Sequence, residues 1–426
     1  MNARAPQLLF LAFPFPPSRA IGAVRCANLA KYLTRLGWRV TVVTLDPRLL
    51  ADPDPAVTDM AEAWCRDAGI HRVLTGHDYR MLYGGALKGR WWERPAIIRK
   101  TAGRAVRWLG MDPGVGWVRP AVAACAQFRP GDFDVILASG SPFPAFEAAR
   151  RLSQRLGAPM VLDYRDLWSA GPHAHRRMPV RIERAERALL QQAAGTWTVS
   201  AGMARCLEDR FGGGDKRSVI TNGFDPDEFR DRVPTRFAQP TIVYAGAFYP
   251  PLRVIDPVLD AVGMANRRGL PNGQELRLLY LGPHSGCVRA VAKEKNASQW
   301  LDDGGNVSRR EVLSALMGSL AAVVITSVQD TASPEVDSIL TGKLFEAMGA
   351  HAPVLLVAPP GTDAAQVVLQ TRAGRAFAGK EAAGMADWIR QLACGTEVRP
   401  GSDVEAYAWP QIARQADSAL REAMTR

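Results

Sequence analysis

Short runs of apolar residues recur along the first half of the chain, with amphipathic stretches between them. Apolar runs occupy residues 7–13 (QLLFLAF), 39–45 (RVTVVTL), 135–139 (VILAS), 159–164 (PMVLDY), 196–200 (TWTVS) and 218–221 (SVIT), and helical periodicity fills residues 20–37, 144–156, 179–194 and 201–211. Short apolar strands that alternate with helices are typical of a parallel sheet covered by helices on both faces. This half of the chain therefore predicts a doubly wound α/β domain.

The same alternation begins again after the polar stretch RDRVPTRFAQP, residues 230–240. The predicted strands cover residues 241–248, 276–282, 321–327, 354–358 and 373–378, and the predicted helices cover 255–268, 287–295, 308–319 and 380–393. We predict two Rossmann-like α/β domains, residues 1–232 and 233–403, with doubly wound parallel sheets that face each other across a cleft. A final helix within residues 404–426 is expected to pack back across the domain junction.

Residues 78–119 fit neither predicted sheet. This segment mixes arginine and lysine with Trp91, Trp92, Trp108 and Trp117. Tryptophan rings interleaved with cations suit the interface of an anionic membrane. The alternative is a helical insertion whose tryptophans pack in the core of the N-terminal domain while its arginines are solvated.

The composition narrows the classes of partner. The formal net charge is +11, and arginine supplies most of the 53 basic residues. This excess fits either an anionic partner or the codon bias of a GC-rich genome. Nucleic acid is disfavoured as the partner, because the basic residues are dispersed and form no known nucleic-acid-binding motif.

The cysteines and the apolar runs bear on the compartment. The 6 cysteines are spread singly, so they predict neither a disulfide framework nor a metal site, and a reducing cytoplasm is expected. The apolar run at residues 7–13 is too short for a signal sequence. No run approaches the ~18 apolar residues of a membrane-spanning helix.

Charged side chains end one of the predicted strands. In VLDYRDLWS, Asp163, Arg165 and Asp166 lie where the sites of α/β folds are built. Because unpaired buried charges are costly, these three residues require each other or a substrate. We take them as candidate catalytic residues; the alternative is an ion-pair network that only rigidifies the loop. Ser139 and Ser141 end the preceding strand and are candidate contacts for an acceptor or a sugar, or simply turn residues.

Two glycine-containing turns suit the binding of an anion. Gly22 lies between a proline-rich loop and a predicted helix whose free N–H groups attract anions, and Arg25, a candidate acceptor contact, follows on that helix. Gly246 precedes a loop with Arg253, whose guanidinium can fork onto phosphate oxygens. The first of these turns lacks the G-x-G-x-x-G fingerprint, which disfavours ordinary dinucleotide binding.

The stretch LTGKLFEAMG combines an anion site with a carboxylate. Gly342 and Lys343 open a predicted helix, so the free amides, the helix dipole and the lysine attract an anion. Glu346 lies one turn deeper, and a carboxylate accepts hydrogen bonds from ribose hydroxyls. These residues predict a site for a ribose and its phosphates. The alternative is an ordinary surface ion pair between residues three apart.

Several stretches follow one another in an order that is typical of one enzyme family. They are PFPPSRAIGAVR, ILASGSPF, VLDYRDLWS, TVSAGMARCL, VITNGFDPDEF, VYAGAFY, VSRREVLSAL and TGKLFEAMGAHAPVLLV. Together they resemble GT-B-fold glycosyltransferases of glycosyltransferase family 4, in particular the bacterial capsule and exopolysaccharide branch with a DxRDxW motif. The resemblance covers nearly the whole chain and implies an N-terminal acceptor domain and a C-terminal nucleotide-sugar donor domain.

The resemblance also implies roles for the candidate residues. The residues implied to bind the donor are Gly22, Gly246, Arg253, Gly282, Asn306, Val307, Gly342, Lys343 and Glu346. Within this set, Arg253 and Lys343 would hold the diphosphate and Glu346 the ribose. The nucleotide base would be bordered by Gly282 and residues 306–307.

The chain departs from the family pattern at two positions. Asp163, which with Arg165 and Asp166 would face the transferred sugar, stands where many relatives have a histidine. Of the E-x7-E pattern, Glu346 fits the second glutamate, but the first falls on Ser338. Ser338 is therefore a candidate sugar contact, since Glu335 in the same loop has the wrong spacing.

We expect a cytoplasmic glycosyltransferase that moves a sugar from a nucleotide-sugar donor to a saccharide or lipid-linked acceptor during surface polysaccharide or glycolipid biosynthesis. The resemblance implies retention of configuration and no metal cofactor, and residues 78–119 suggest a peripheral position on the inner face of the plasma membrane. One alternative is a nucleotide-sugar epimerase-like enzyme, which should need more carboxylates and histidines. Another is a non-catalytic sugar-nucleotide-binding assembly partner, which would keep Lys343 and Glu346 but tolerate loss of Asp163 and Arg165.

Overall fold

The computed structural model describes residues 4–18, 20–50, 55–80, 87, 112–170, 180–330, 334–395 and 402–426. The chain divides into two compact units. Unit 1 is Met1–Thr221 with Ile412–Arg426, and unit 2 is Asn222–Gln411. Each unit contains one parallel sheet, of seven strands in unit 1 and six in unit 2.

The sheet of unit 1 has the strand order β3-β2-β1-β4-β5-β6-β7. Its strands are β1 (Gln7–Leu11), β2 (Arg39–Leu45), β3 (Ile70–Thr75), β4 (Val135–Gly140), β5 (Met160–Tyr164), β6 (Gly195–Thr198) and β7 (Arg217–Val219). Its helices include α1 (Ile21–Arg35), α2 (Pro55–Asp67), α3 (Val118–Ala124), α4 (Pro144–Leu156), α5 (Val180–Gln192) and α6 (Ala201–Phe211).

The central strands of unit 1 are apolar on both faces. Every residue of β4 and β5 is buried, which is the pattern of a parallel strand covered by helices on both sides. The direction of winding changes beside β1, because its neighbours are β2 and β4. Ligand sites of open α/β sheets form beyond the carboxyl ends of strands at such a point.

The sheet of unit 2 has the order β10-β9-β8-β11-β12-β13. Its strands are β8 (Thr241–Ala245), β9 (Arg277–Leu281), β10 (Leu301–Gly305), β11 (Ala321–Ile325), β12 (Val354–Val357) and β13 (Gly374–Phe377). Its helices are α7 (Asp256–Arg268), α8 (Ser285–Glu294), α9 (Arg309–Gly318), α10 (Pro334–Asp337), α11 (Gly342–Gly349), α12 (Asp363–Thr371) and α13 (Ala382–Ala393). The two sheets confirm the predicted class of two doubly wound α/β domains.

The last helix, α14 (Trp409–Met424), returns to unit 1 from Ile412 onward. One face of it is buried, with Ala416 and Leu420 both completely covered. Asp417 accepts a hydrogen bond from the indole N–H of Trp38 at 2.7 Å. This buried face and the indole bond hold the end of the chain on unit 1.

Most of the basic, tryptophan-rich segment predicted at 78–119 lies outside the described residues, including Trp91, Trp92 and Trp108. Trp117 is described and is completely buried, and its indole N–H donates to the Thr75 hydroxyl at 2.6 Å. At this end of the segment the tryptophan is therefore part of the core of unit 1. Among the helices in the described ranges, none combines the length and the hydropathy needed to cross a membrane.

Candidate functional site

The carboxyl ends of β4 and β5 and the start of α1 form what we call the polar edge of unit 1. A buried ion pair between Asp163 and Arg25 lies there. Asp163, at the end of β5, is fully buried, and Arg25 on α1 is 3% exposed. The guanidinium donates to both carboxylate oxygens, from Nη2 at 2.7 Å and from Nε at 3.1 Å. The hydroxyl of Ser139, at the end of β4, donates to the same carboxylate at 2.8 Å.

Arg25 uses its remaining N–H groups on the main chain. It donates to the carbonyl oxygens of Ile220 and Thr221, each at 2.8 Å. One buried charge pair thus joins α1, the ends of β4 and β5, and the chain that follows β7. The carboxylate of Asp163 is therefore paired with Arg25, and the guanidinium of Arg165 binds main-chain carbonyls instead.

Arg165 occupies the space that Gly22 leaves. Its Nε donates to the carbonyl oxygen of Gly140 at 3.0 Å, and Nη2 donates to the carbonyl oxygen of Ser141. A Cβ atom added at Gly22 would lie 1.6 Å from Arg165 Nη1. The lack of a side chain at Gly22 therefore places a guanidinium beside the first turn of α1, whose N-terminus has no side-chain cap.

Asp166 differs from Asp163 in its surroundings. It is exposed, and its carboxylate makes no hydrogen bond to another residue in the described part of the chain. Of the two aspartates in VLDYRDLWS, Asp166 is the one whose carboxylate is open to solvent. Ser141 is partly exposed, whereas Ser139 is buried and hydrogen-bonded to Asp163.

The corresponding edge of unit 2 brings Lys343 against Gly246. Lys343 is the second residue of α11, and its Nζ lies 4.9 Å from the centroid of the Tyr244 ring. A Cβ atom at Gly246, which has φ +134°, would lie 2.0 Å from Nζ. At Gly282, after β9, a Cβ atom would lie 2.5 Å from the Gly246 carbonyl oxygen. The lack of a side chain at Gly246 therefore makes room for Lys343, and the lack of one at Gly282 makes room for the main chain of Gly246.

A second cation, Arg253, lies close enough for its charge to act on Lys343. Its guanidinium lies 5.3 Å from the centroid of the Tyr249 ring, and its Nε donates to the Thr326 carbonyl oxygen at 3.3 Å. Burial and, as a smaller effect, the charge of Arg253 lower the pKa of Lys343 to about 8, against a weaker opposite effect of Glu346. Neither cation forms an ion pair with a carboxylate of the described residues.

Two unsatisfied hydroxyl donors also lie in unit 2. The hydroxyls of Thr326, after β11, and Thr341, the N-cap of α11, are buried without a hydrogen-bond partner. The Thr341 side chain makes no capping bond, so the first amides of α11 are uncapped. A side chain at Gly342 would meet open space. Cations, hydroxyls and a helix N-terminus are the groups that bind anions with several oxygens in proteins.

Glu346 is held by a residue that the sequence did not reveal. Arg309, the first residue of α9, donates from Nη1 to Glu346 at 2.5 Å. It also forks onto the carboxylate of Glu228, at 2.7 and 2.8 Å. Glu346 retains its second carboxylate oxygen and a side chain that is 21% exposed. Arg309 stands in VSRREV, one of the family-like stretches, but nothing in that stretch indicates its partner 37 residues away.

Three further candidate residues of unit 2 are Asn306, Val307 and Ser338. Asn306 is exposed and Val307 is half-buried in the loop after β10. Ser338 is 5% exposed and follows α10, so the position of the missing glutamate is a buried one. The side chain of Glu335 lies outside the described residues.

Comparison with known proteins relates part of the chain to a glycosyltransferase family and the fold to solved glycosyltransferase structures. The model of Glycosyltransferase Family 4 matches residues 22–228. No curated protein sequence matches the chain. Sucrose-phosphate synthase from Thermosynechococcus elongatus is 16% identical, with a TM-score of 0.63 over 98% of both chains.

Two further solved structures share the architecture. HepE of Anabaena, in complex with UDP and glucose, is 14% identical, with a TM-score of 0.59 over 97% of this chain and 99% of its own. WaaB, a lipopolysaccharide outer core galactosyltransferase in its apo form, is 12% identical, with a TM-score of 0.57 over 97% of this chain and 99% of its own. At these identities the likeness shows the two-sheet fold.

Proposed function

We propose that unit 2 binds the diphosphate of a nucleotide-sugar donor and unit 1 the acceptor, because the Glycosyltransferase Family 4 model matches residues 22–228 and the two-sheet fold is shared with GT-B glycosyltransferases. The observation that carries this proposal is the pair Lys343 and Arg253, two half-buried cations with no carboxylate of the described residues paired to them. Holding like charges together in this way is unfavourable unless an anion joins them.

The chemistry follows from where charge develops. When the bond between the sugar and the diphosphate breaks, negative charge grows on the leaving diphosphate. Lys343, Arg253 and the uncapped amides of α11 stabilise that charge without having to rearrange. We propose that this basic pair supplies the stabilisation that a divalent metal provides in other transferases.

The acceptor is proposed to be a saccharide or a lipid-linked saccharide of surface polysaccharide or glycolipid biosynthesis, and the transfer to retain configuration. HepE binds UDP and glucose, and WaaB is a lipopolysaccharide galactosyltransferase. In unit 1, Asp166 and Arg165 are the charged groups of the polar edge that are not fully buried. We propose that they contact the sugars, with Asp163 holding the edge in place.

A nucleotide panel tests the proposal. Thermal shift and calorimetry with UDP, GDP, ADP and CDP, and then with the sugar nucleotides of the best base, should give binding in the micromolar range and one preferred base. NMR of the product of a productive pair then gives the anomeric configuration. Absence of binding to every nucleoside diphosphate would contradict the donor site.

Arg309→Gln tests the assignment of Glu346 to the ribose. The variant frees Glu346 and Glu228 from their shared partner, and we expect the dissociation constant of the nucleotide to rise about three- to tenfold, because the net contribution of one hydrogen bond is ~0.5–1.5 kcal/mol. Stability should change by less than ~1 kcal/mol, because the Arg309 side chain is 40% exposed.

Arg230→Gln is the matched control for this variant. Arg230 also pairs with an acidic residue of the same loop, Asp227 at 2.7 Å, but its side chain is 71% exposed. Its replacement should leave nucleotide affinity unchanged. Equal effects of the two variants would separate Arg309 from the donor site.

A further inference from the structure

Unit 1 contains an apolar cavity of about 340 Å³ beyond the carboxyl ends of β1 and β2. Its walls include Phe13, Phe15, Leu45, Leu50, Leu87 and Pro142. The volume falls in the range of roughly 300–1,000 Å³ that small-molecule sites occupy. None of these side chains takes part in the ion pair of Asp163 or in the donor site, so the chemistry described above leaves the cavity without a use.

A polar rim closes one side of the cavity. Asp112 and Ser141 belong to its lining. The Asp112 carboxylate accepts the backbone N–H of Gly114 at 2.7 Å and that of Phe143 at 2.9 Å, so both oxygens are fixed in direction. Each oxygen has a further lone pair that a ligand hydroxyl can use.

The rim continues into the polar edge of unit 1. Ala20, the N-cap of α1, lines the cavity, and Gly22 beside it touches Arg165. The carbonyl oxygen of Ser141 accepts from the same guanidinium. A ligand whose polar head lies at this edge would therefore direct its apolar part into the cavity.

The walls suit an aliphatic group better than a stacked ring. The Phe13 ring already packs edge-on against Trp117, with centroids 5.4 Å apart at 86°, and against His77 at 6.1 Å. Much of the remaining lining consists of leucine and proline. Saturated side chains of this kind bury hydrocarbon without offering a free aromatic face.

The sequence between two lining residues suggests where such a ligand comes from. Leu87 and Asp112 bracket residues 88–111, whose sequence contains Trp91, Trp92 and Trp108 among arginines and lysines. Tryptophan with basic residues is the composition of membrane-interface segments. An amphiphile drawn from a lipid surface combines the required polar head and hydrocarbon chain.

We propose that this cavity holds the hydrocarbon chain of a lipid acceptor, with the glycosyl-accepting head at the rim formed by Asp112 and Ser141. The proposal rests on the proposed function, because it names the class of acceptor that unit 1 would take. The proposed occupant of the cavity is an aliphatic chain.

Alkyl β-D-glucosides from methyl to octyl, below their micelle concentrations, are the probes. Calorimetry should show about three- to fourfold tighter binding for each added methylene until the chain fills the cavity, with a negative heat-capacity change. Phenyl glucoside forms the aromatic arm. Tighter binding of phenyl glucoside than of hexyl glucoside, which has the same number of aglycone carbons, would overturn the aliphatic assignment.

Two variants locate the binding. Ala20→Trp fills the cavity from an exposed lining position and should abolish the dependence on chain length; Ala201→Trp, at an exposed alanine on the first turn of α6, is the matched control that should keep it. Leu50→Gln, at a half-buried wall position, is the second test if Ala20→Trp folds poorly. Unchanged chain-length dependence in both cavity variants would overturn the location.

Nucleotide binding separates this proposal from the donor assignment. If the wild-type protein binds a nucleoside diphosphate but alkyl chain length has no effect, the cavity proposal fails and the proposed function stands. If alkyl glucosides bind with the expected gradient but no nucleotide binds, the cavity takes aliphatic ligands and the donor assignment fails.

Discussion

Replacing Asp163 by asparagine is expected to lower the free energy of unfolding by about 3–5 kcal/mol, because it leaves the buried charge of Arg25 without its counterion. The amide keeps the shape of the side chain, so no cavity is created. Its NH₂ group, however, would face the guanidinium that now donates to both carboxylate oxygens. The urea midpoint of the transition that reports on unit 1 measures the loss, and the far-UV spectrum shows whether the variant still folds.

Three further variants serve as comparisons for the stability loss of Asp163→Asn. Ser139→Ala removes one hydrogen bond to the same carboxylate and should cost about 1 kcal/mol. Asp166→Asn, at an exposed position, should change stability by less than ~0.5 kcal/mol and act on activity alone. Replacement of both partners, Arg25→Met with Asp163→Leu, should cost less than Asp163→Asn. A stable but inactive Asp163→Asn would instead favour a direct catalytic role.

The strands that the sequence predicts well are the buried ones. The apolar runs at 135–139 and 321–327 correspond to β4 and β11, which lie inside their sheets and differ from the predicted bounds by two residues or fewer. In such strands both faces need apolar side chains, so the run itself marks the strand. Their helices are equally clear, as residues 144–156 form α4 with the predicted bounds.

The strands absent from the prediction lie at sheet edges. β3 and β10 are end strands of the two sheets. β10 reads LDDGG and has no buried residue, so neither β propensity nor apolar periodicity distinguishes it from a loop. It pairs with β9 through its main chain, and only the presence of that neighbour makes it a strand.

The candidate site shows the same division between local and distant signals. Lys343 at a helix start and Arg253 near one are visible in the sequence, because a helix N-terminus and a basic residue are local features. The sequence does not show that Lys343 lies against Gly246 and Tyr244, or that the charge of Arg253 acts on it. The ion pair of Arg25 and Asp163 spans 138 residues, and the bond from Arg309 to Glu228 spans 81. Partners at such separations follow from strand order, which no short motif specifies.

Lys343→Ala is expected to lower kcat by about 10²–10³-fold, the usual effect of removing one preorganised group that stabilises developing negative charge. The lysine is half-buried and forms no ion pair with a carboxylate of the described residues, so its charge is available to the diphosphate of the proposed donor. Initial rates with the donor identified by the nucleotide panel measure the loss. A similar decrease in Lys380→Ala, an exposed lysine of unit 2 whose side chain is 72% exposed, would show that overall charge is responsible.

The pH dependence identifies Lys343 more sharply than the loss of rate. Its pKa in the free protein is about 8, lowered from 10.5 by burial and then by Arg253, and a bound diphosphate raises the pKa again by supplying negative charge. At about pH 7 and below the lysine is almost fully protonated in both states, so its titration leaves affinity unchanged there. Above pH 8 binding must take up a proton, and the nucleotide affinity should fall by up to tenfold per pH unit between about pH 8 and 9.5.

Lys343→Arg provides the decisive comparison, because a guanidinium stays protonated across this range. Calorimetry between about pH 7 and 9.5 should give a flat affinity profile for Lys343→Arg, and the wild-type slope should persist in Lys380→Ala. The phosphates of a nucleoside diphosphate are already ionised above pH ~7, so they add no slope of their own. A wild-type-like slope in Lys343→Arg would assign the titration to another group and remove the strongest argument that Gly246, Tyr244 and Arg253 are arranged to hold this lysine against the donor.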